Sequence, residues 1–215
     1  MFDNARLDVR VFDKVALIGA NGAGKSSLIK CIMGEISDYD GAIKVGGSVR
    51  IGYLPQLLVF DKPKETILEY VNRMTGLNNE KCRSLLARFE FGSEDIEKSI
   101  GMLSGGEKIR IRIACLLQND VNTLIFDEPT NHIDIFTREI LEDAMKSFKG
   151  TIIFVSHDRY FINNIANKVV DVSDGKLQMY EGNYDDFKHK DDKVEVVETP
   201  KVKIKPPKIR KGGKW

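Results

Sequence analysis

The sequence predicts an α/β domain with a largely parallel core sheet, and three observations support this class. Short apolar runs of strand length alternate with longer stretches whose apolar residues recur at helical spacing. One such run leads into a glycine-rich loop at residues 19–26, and another is followed directly by the acidic pair Asp127-Glu128. Strands that alternate with helices usually pair in parallel, because each helix carries the chain back across the sheet.

The glycine-rich loop reads Gly-Ala-Asn-Gly-Ala-Gly-Lys-Ser over residues 19–26 and fits the phosphate-binding pattern G-x-x-x-x-G-K-[ST]. The apolar run 15–18 precedes it as a buried strand, and residues 28–33 place their apolar side chains on one face of a helix that Gly34 can end. The motif therefore has the strand–loop–helix setting that phosphate binding requires. Taken alone, it is also compatible with a glycine-rich turn that binds nothing.

The residue types of this loop suit a nucleoside triphosphate with its metal ion. Glycines let backbone N–H groups approach a phosphate, and the helix N-terminus adds partial positive charge. We expect Lys25 to reach the β- and γ-phosphates and Ser26 to bind Mg²⁺. The residues expected to contact the nucleotide here are Gly19, Asn21, Gly22, Ala23, Gly24, Lys25, Ser26 and Ser27.

Composition sets the remaining bounds. A chain of 215 residues with 42% hydrophobic residues can bury a substantial core, and its net charge of +1 does not mark a nucleic-acid binder. No apolar run approaches the length of a membrane span, and we expect no signal peptide at the start. The three cysteines are scattered without a C-x-x-C pair. We interpret them as reduced core thiols of a cytoplasmic protein.

The first quarter of the chain has β character beside the loop. Leu7, Val9 and Val11 alternate with charged residues, which predicts a half-buried strand. Gly46-Gly47 separates the runs 42–45 and 48–54, which predicts a hairpin. We therefore expect an antiparallel β lobe.

A small helical lobe is expected over about residues 62–118. Apolar residues recur at helical spacing over 67–74 and 82–89. A further helix opens at Leu103-Ser104-Gly105-Gly106-Glu107, with Ser104 as its N-cap. Its free N–H groups make a second candidate anion site. An ordinary capped helix is the alternative.

The apolar strand 123–126 ends in Asp127-Glu128. A carboxylate at the end of such a strand lies beside the metal of a phosphate-binding loop. Neighbouring side chains of an extended strand point to opposite sides, so the two acids can serve different roles. We expect Asp127 to contact the metal and Glu128 to polarise the attacking water. An ordinary acidic strand–loop junction is the alternative.

The remainder of the chain continues the alternation up to a charged tail. The predicted elements are a helix to about Phe148, a strand at 151–155, a helix at 160–165 and a hairpin of strands 168–172 and 176–180. Residues 200–215 hold seven Lys or Arg residues and no acid. We expect a domain over 1–188 and a basic, disordered tail over 189–215, either solvated or contacting RNA.

Taken in order, these motifs resemble an ATP-binding cassette. The elements are the loop at 19–26, Gln56, the segment 103–107, Asp127-Glu128, Asp134 and His157. The resemblance implies a P-loop NTPase fold of cassette type, with ATP and Mg²⁺ as cofactors. The implied catalytic residues are Glu128, His157 and Gln56, and the implied metal contacts are Ser26, Gln56 and Asp127. The switch histidine, His157, would contact the γ-phosphate.

The resemblance also implies that the active unit holds two cassettes. Ser104, Gly105 and Gly106 look like the signature loop, which contacts ATP bound to a different cassette, and Asp134 looks like a further nucleotide-proximal residue of the family. Two cassettes must then close head to tail to complete each ATPase site. The partner is either a second cassette of the same protein or a second copy of this chain.

Finer motifs resemble the F subfamily, whose members act on ribosomes in translation and in antibiotic resistance. They are Leu103–Lys108, Asn131-His132-Ile133-Asp134, Ser156–Phe161 and Tyr180–Tyr184. The resemblance implies a single cassette, matching the second cassette of a tandem protein. The ATP-binding subunit of a membrane transporter is the alternative function. The iron–sulfur cysteine clusters of the E subfamily are not present in the sequence.

Overall fold

The computed structural model describes residues 5–131 and 133–191. Within these ranges lie six strands, seven α-helices and one short 3₁₀ turn at Ile100–Met102. The elements are β1 (Lys14–Ile18), α1 (Lys25–Ile32), β2 (Ile51–Leu54), α2 (Ile67–Thr75), α3 (Asn79–Arg88), α4 (Gly105–Gln118), β3 (Thr123–Asp127), α5 (Ile135–Ser147), β4 (Thr151–Val155), α6 (Arg159–Ile165), β5 (Lys168–Ser173), β6 (Lys176–Glu181) and α7 (Tyr184–Asp191). The greater part of the predicted tail, residues 192–215, lies outside the described residues.

The strands form one sheet in the order β2-β3-β4-β1-β5-β6. The pairings β2–β3, β3–β4, β4–β1 and β1–β5 are parallel, and β5–β6 is antiparallel. The predicted class, a largely parallel sheet with flanking helices and an antiparallel part, is confirmed. The predicted hairpin at 168–180 is also confirmed and supplies the antiparallel part.

The sheet divides the apolar core into two clusters, because successive side chains of a strand point to opposite faces. On one face, Ala16, Phe126 and Phe154 are fully buried in the cluster to which helices α2–α6 contribute. On the other face, Leu17 packs with Ile29 of α1, and both are fully buried. Burial on both faces explains why these strands are continuously apolar rather than alternating.

Capping residues define the ends of the predicted helices. Thr66 and Ser104 each form a capping box. Their hydroxyls accept a hydrogen bond from the backbone N–H three residues on, and the carboxylate of the glutamate at that position accepts one from the N–H of the capping residue. Gly76 adopts a left-handed conformation, with φ 69°, directly after α2. The predicted helices and the N-cap role of Ser104 are confirmed.

The three cysteines are free thiols, as expected. Cys82 and Cys115 are buried, whereas Cys31 is only half-buried. Burial raises the pKa of Cys82, and it raises the pKa of Cys115 to about 12. These buried thiols are therefore protonated core residues at neutral pH.

Two predicted β segments are wrong. Residues 7–11 form no strand, although Leu7 and Val9 still pack against the core. The segment 42–50 turns at Gly46, where the Val49 N–H donates to its carbonyl, but its flanks do not pair. A two-stranded hairpin is marginal in water unless one face is covered. The residues 42–45 are exposed, so only Ile51–Leu54 pairs, in parallel with β3.

The turn before β1 contains a strained residue. Phe12 has φ 71°, a left-handed conformation that a side chain disfavours, and it is 64% exposed. Its N–H donates to Thr151 Oγ1 at 3.1 Å and Asp13 N–H donates to the Arg10 carbonyl at 3.1 Å. These bonds hold the turn in a conformation that suits glycine better than phenylalanine.

We predict that Phe12→Gly raises the free energy of unfolding by about 1 kcal/mol, because it removes left-handed backbone strain and little buried area. Urea unfolding of the two proteins measures the difference. The matched control is Val11→Gly at the neighbouring position, which is 74% exposed. There no left-handed backbone favours glycine, so stability should fall. Equal destabilisation by both changes would contradict the strain at Phe12.

Candidate active site

The predicted site residues converge because four parallel strands end at one edge of the sheet. The glycine-rich loop follows β1, Gln56 follows β2, Asp127 ends β3 and His157 follows β4. The carboxyl edge of a parallel sheet is the usual position of a ligand crevice. A pocket at this edge is lined by Asn21, Gly22, Gly24, Lys25, Ser26, Ser27, Gln56 and Glu128.

The loop has the backbone conformation that its glycines permit. Gly19, Gly22 and Gly24 have φ of 142°, 81° and 101°. A Cβ on Gly19 would lie 2.2 Å from the carbonyl oxygen of Val172 on β5, so no side chain fits there. Gly24 directly precedes α1, and the Leu28 N–H donates to its carbonyl at 2.8 Å. The loop therefore carries the chain from β1 into the N-terminus of α1, where N–H groups remain available for an anion.

Lys25 holds a buried positive charge inside the loop. The residue is 5% exposed, and its Nζ donates to the carbonyls of Gly19 at 2.8 Å and Ala20 at 2.9 Å. Burial lowers the pKa of Lys25, while the charges of Glu128 and Asp127 act in the opposite direction. The loop carbonyls thus hold the ammonium near the charges of two acids, in the loop that is expected to bind the β- and γ-phosphates.

Ser26 and Asp127 meet across the sheet edge. The Ser26 Oγ donates to Asp127 Oδ1 at 3.1 Å, and Asp127 is 3% exposed. Burial raises the pKa of Asp127, and the Ser26 hydrogen bond opposes that effect. Hydroxyl and carboxylate oxygens are ligands that Mg²⁺ accepts, usually with phosphates and water. Over residues 5–131 and 133–191, no group of three or more His, Cys, Asp or Glu residues could hold a metal ion.

Glu128 is the centre of a polar cluster. Its Oε2 accepts from Gln56 Nε2 at 2.9 Å and from Asn131 Nδ2, and its Oε1 lies 3.7 Å from His157 Nε2. The residue has φ 52°, so it is left-handed rather than extended. The predicted geometry of two acids on opposite sides of an extended strand is therefore wrong. A turn after Asp127 instead directs the Glu128 side chain into the pocket that Lys25 lines.

Asn131 is the member of this cluster that sequence reasoning missed. In the sequence it stands within a subfamily motif, and the motif does not mark it as a contact of Glu128. The sequence spacing could have indicated this contact, because a β-turn that begins at Glu128 places Asn131, three residues later, beside it. The Asn131 N–H donates to the Glu128 carbonyl at 3.2 Å, as such a turn requires.

The predicted signature residues are not brought to the pocket. A Cβ on Gly106 would lie 2.7 Å from Thr137 Oγ1 and 2.9 Å from Asp134 Oδ2, so the N-termini of α4 and α5 pack closely. Asp134 caps α5 by accepting from the Thr137 N–H at 2.8 Å and hydroxyl at 2.9 Å. These bonds lower the pKa of Asp134. The nucleotide contacts of Ser104, Gly105, Gly106 and Asp134 remain predictions.

Comparison with known proteins identifies the family. Residues 2–131 match the family described as ABC transporter. The chain belongs to the ATP-binding cassette family. Cassettes of this family are ATPases, and they work as dimers. In the part of the cassette that the structure describes, no helix is both long and apolar enough to cross a bilayer.

The cassette is similar to proteins of the F subfamily. It is 37% identical to ABC transporter F family member 2 of Arabidopsis thaliana, over 98% of this chain and 32% of that protein. It is 39% identical to the energy-dependent translational throttle protein EttA of Haemophilus influenzae, over 80% of this chain and 32% of that protein. The chain thus spans about a third of each relative. The predicted resemblance to F-subfamily cassettes is confirmed.

A solved structure supports the fold. A bacterial ABC transporter cassette, described as dimeric, superposes with a TM-score of 0.70 at 21% identity, covering 84% of this chain and 90% of that one. At this identity the similarity establishes the cassette fold alone.

We predict that Asp127→Asn stabilises the protein without nucleotide by about 1 kcal/mol at neutral pH. The reason is that burial of the charged carboxylate is the largest cause of its raised pKa, and asparagine keeps an oxygen for Ser26. The advantage should be full above the raised pKa and shrink as pH falls through it toward the ordinary value of 3.8. Urea unfolding at several pH values measures it.

The same variant should lose Mg²⁺-dependent ATP hydrolysis, because an amide would replace the carboxylate that is predicted to contact the metal. A less stable Asp127→Asn protein at neutral pH would show instead that attraction to the lysines outweighs the cost of burying the carboxylate.

Proposed function

We propose that this cassette binds and hydrolyses ATP in a closed, head-to-tail pair and uses the cycle to act on the ribosome during translation. The observation that carries the proposal is the separation, on one chain, of the glycine-rich pocket from the capped N-terminus of α4. The pocket contains Lys25, Ser26 and Glu128, whereas Ser104 caps α4 outside the pocket lining. In this scheme residues 1–188 form the cassette, with its helical lobe at about 62–118, and residues 189–215 form the tail.

ATP binding is assigned to the loop and the strand edge. The loop N–H groups and Lys25 would bind the β- and γ-phosphates, and Ser26, Asp127 and Gln56 would hold Mg²⁺. The metal would neutralise phosphate charge that builds up in the transition state. The part-buried Ser26–Asp127 contact supports this assignment, since it presents two oxygen ligands beside the lysine.

Hydrolysis is assigned to Glu128 and His157. The Glu128 carboxylate would accept a proton from the attacking water, and His157 would contact the γ-phosphate. The 3.7 Å separation between Glu128 Oε1 and His157 Nε2 supports their action on one centre. Gln56 would report the state of that centre, because its amide already contacts Glu128.

Closure of two cassettes follows from the position of Ser104. The α4 N-terminus has an intact capping box, which orders the backbone that would receive a phosphate from outside the chain. A nucleotide in the loop of one cassette could then join the Ser104 loop of the other. The γ-phosphate would be needed, since ADP is too short to bridge the two.

Action on the ribosome rests on the relatives. One of them is named an energy-dependent translational throttle protein. We extend the translation role to this chain, and with it a cytoplasmic location, where ribosomes work. Resistance to antibiotics that target the ribosome is the second role that the subfamily resemblance implies.

We predict that Lys25→Ala and Ser104→Arg act differently. Lys25→Ala removes the cation at the phosphates, so ATP affinity should fall roughly a hundredfold. Ser104→Arg places a large side chain at the neighbouring site, so ATP should bind the single cassette almost normally while closure fails. Fluorescent-nucleotide titration measures affinity, and light scattering with ATP measures closure.

Glu128→Gln is the reference for both measurements, because it should bind ATP and stay closed. An equal loss of ATP affinity in the Lys25→Ala and Ser104→Arg proteins would contradict the split site. A stable dimer of the wild-type chain in nucleotide-free buffer would contradict ATP-driven closure.

The ribosome proposal is tested with the same Glu128→Gln variant. Glutamine keeps the size of glutamate but cannot accept the proton of water, so the ATP-bound closed state should persist. We expect the variant to co-sediment with ribosomes in ATP and not in ADP. The matched control is Glu128→Gln combined with Lys25→Ala, which should not co-sediment in either nucleotide.

Absence of ribosome retention under conditions where the Glu128→Gln pair is closed would overturn the ribosome proposal. Stimulation of its ATPase by the membrane subunits of a transporter would then favour the alternative function.

A further inference from the structure

We propose that Asn131 is a positioning residue for ATP hydrolysis, which holds Glu128 so that Oε1 is the oxygen presented to water. This inference rests on the proposed ATPase function of Glu128 and adds a residue to it. The sequence motifs assign no hydrolytic role to Asn131.

The main chain fixes the start of this arrangement. The Glu128 N–H donates to the Val155 carbonyl of β4 at 3.1 Å, and the Asn131 N–H donates to the Glu128 carbonyl at 3.2 Å. The left-handed conformation of Glu128, with φ 52°, is thereby held from both sides. A strained backbone maintained in this way at a pocket is typical of a functional turn.

The two carboxylate oxygens of Glu128 have different surroundings. Oε2 accepts two amide hydrogen bonds, from Gln56 Nε2 and from Asn131 Nδ2. Oε1 instead lies 3.7 Å from the imidazole nitrogen Nε2 of His157. Two donors on Oε2 engage its lone pairs, so Oε1 is the oxygen that can accept a proton. The amide of Asn131, together with that of Gln56, therefore fixes both the rotamer and the reacting oxygen of Glu128.

The side chain of Asn131 is not needed to hold the turn together. The Asn131 bond to the Glu128 carbonyl comes from the backbone, which any residue except proline supplies. The Thr130 and Ser156 hydroxyls lie 3.1 Å apart and link the turn to the end of β4. Asn131 is itself exposed, so its replacement costs little packing. We therefore expect the fold to be retained when the side-chain amide of Asn131 is removed.

The test measures turnover per closed pair and ATP affinity separately. Asn131→Asp keeps the size but replaces the donor with a carboxylate oxygen, and Asn131→Ala removes the donor without adding charge. We expect turnover to fall about tenfold or more in both, because misplacement of a catalytic group is costly. ATP affinity should stay within about twofold, since Asn131 does not line the phosphate pocket. The lifetime of the ATP-bound closed pair should increase by the same factor by which turnover falls.

A double-mutant cycle distinguishes positioning from a structural role. In the Glu128→Gln background, either Asn131 change should cause no further loss of turnover, because the residue acts through the Glu128 carboxylate. A further tenfold loss there would overturn the inference in favour of a structural role. Wild-type turnover in Asn131→Asp and Asn131→Ala would overturn it while leaving the ATPase proposal intact. No turnover by the wild-type chain in its closed pair would overturn the ATPase proposal itself.

Discussion

The burial of one ammonium group constrains the whole site. Lys25 is almost fully removed from water, and a buried charge is costly unless it is hydrogen-bonded and paired. The carbonyls of Gly19 and Ala20 supply the hydrogen bonds, and the acids at the end of β3 supply the opposite charge. The loop must therefore stay wrapped around Lys25. The glycine conformations are a condition for this, because carbonyls could not otherwise turn toward the ammonium.

The sheet provides the rigidity that this arrangement needs. β4 lies between β1, which leads into the glycine-rich loop, and β3, which ends at Asp127. His157 follows β4, so it lies at the same edge of the sheet. All three strands are buried on both faces, which leaves their ends little freedom to shift. A site placed at the ends of packed strands is held more closely than one placed on free loops. The polar cluster around Glu128 depends on that support, since its members come from three different strand ends.

The second helix N-terminus is organised by a different interaction. Close packing of Gly106 against Thr137 and Asp134 joins the starts of α4 and α5. Any larger residue at Gly106 would separate them. In the proposed closed pair, this contact would couple the Ser104 loop of one cassette to the Asp134 turn that follows its own Glu128.

Local patterns determined much of this protein. The apolar runs, the capping residues and the glycine-rich loop each carry their own physical signal, so β1, β3, β4, the helices and the phosphate-binding motif could be predicted from the sequence. The strands predicted at residues 7–11 and 42–50 are wrong for a different reason. An alternating pattern of apolar and polar residues does not determine whether a neighbouring strand is available for pairing. Only the tertiary structure decided the strand order and the left-handed turn at Glu128. It also decided the contact with Asn131, since side-chain hydrogen bonds depend on backbone geometry that residue types do not specify.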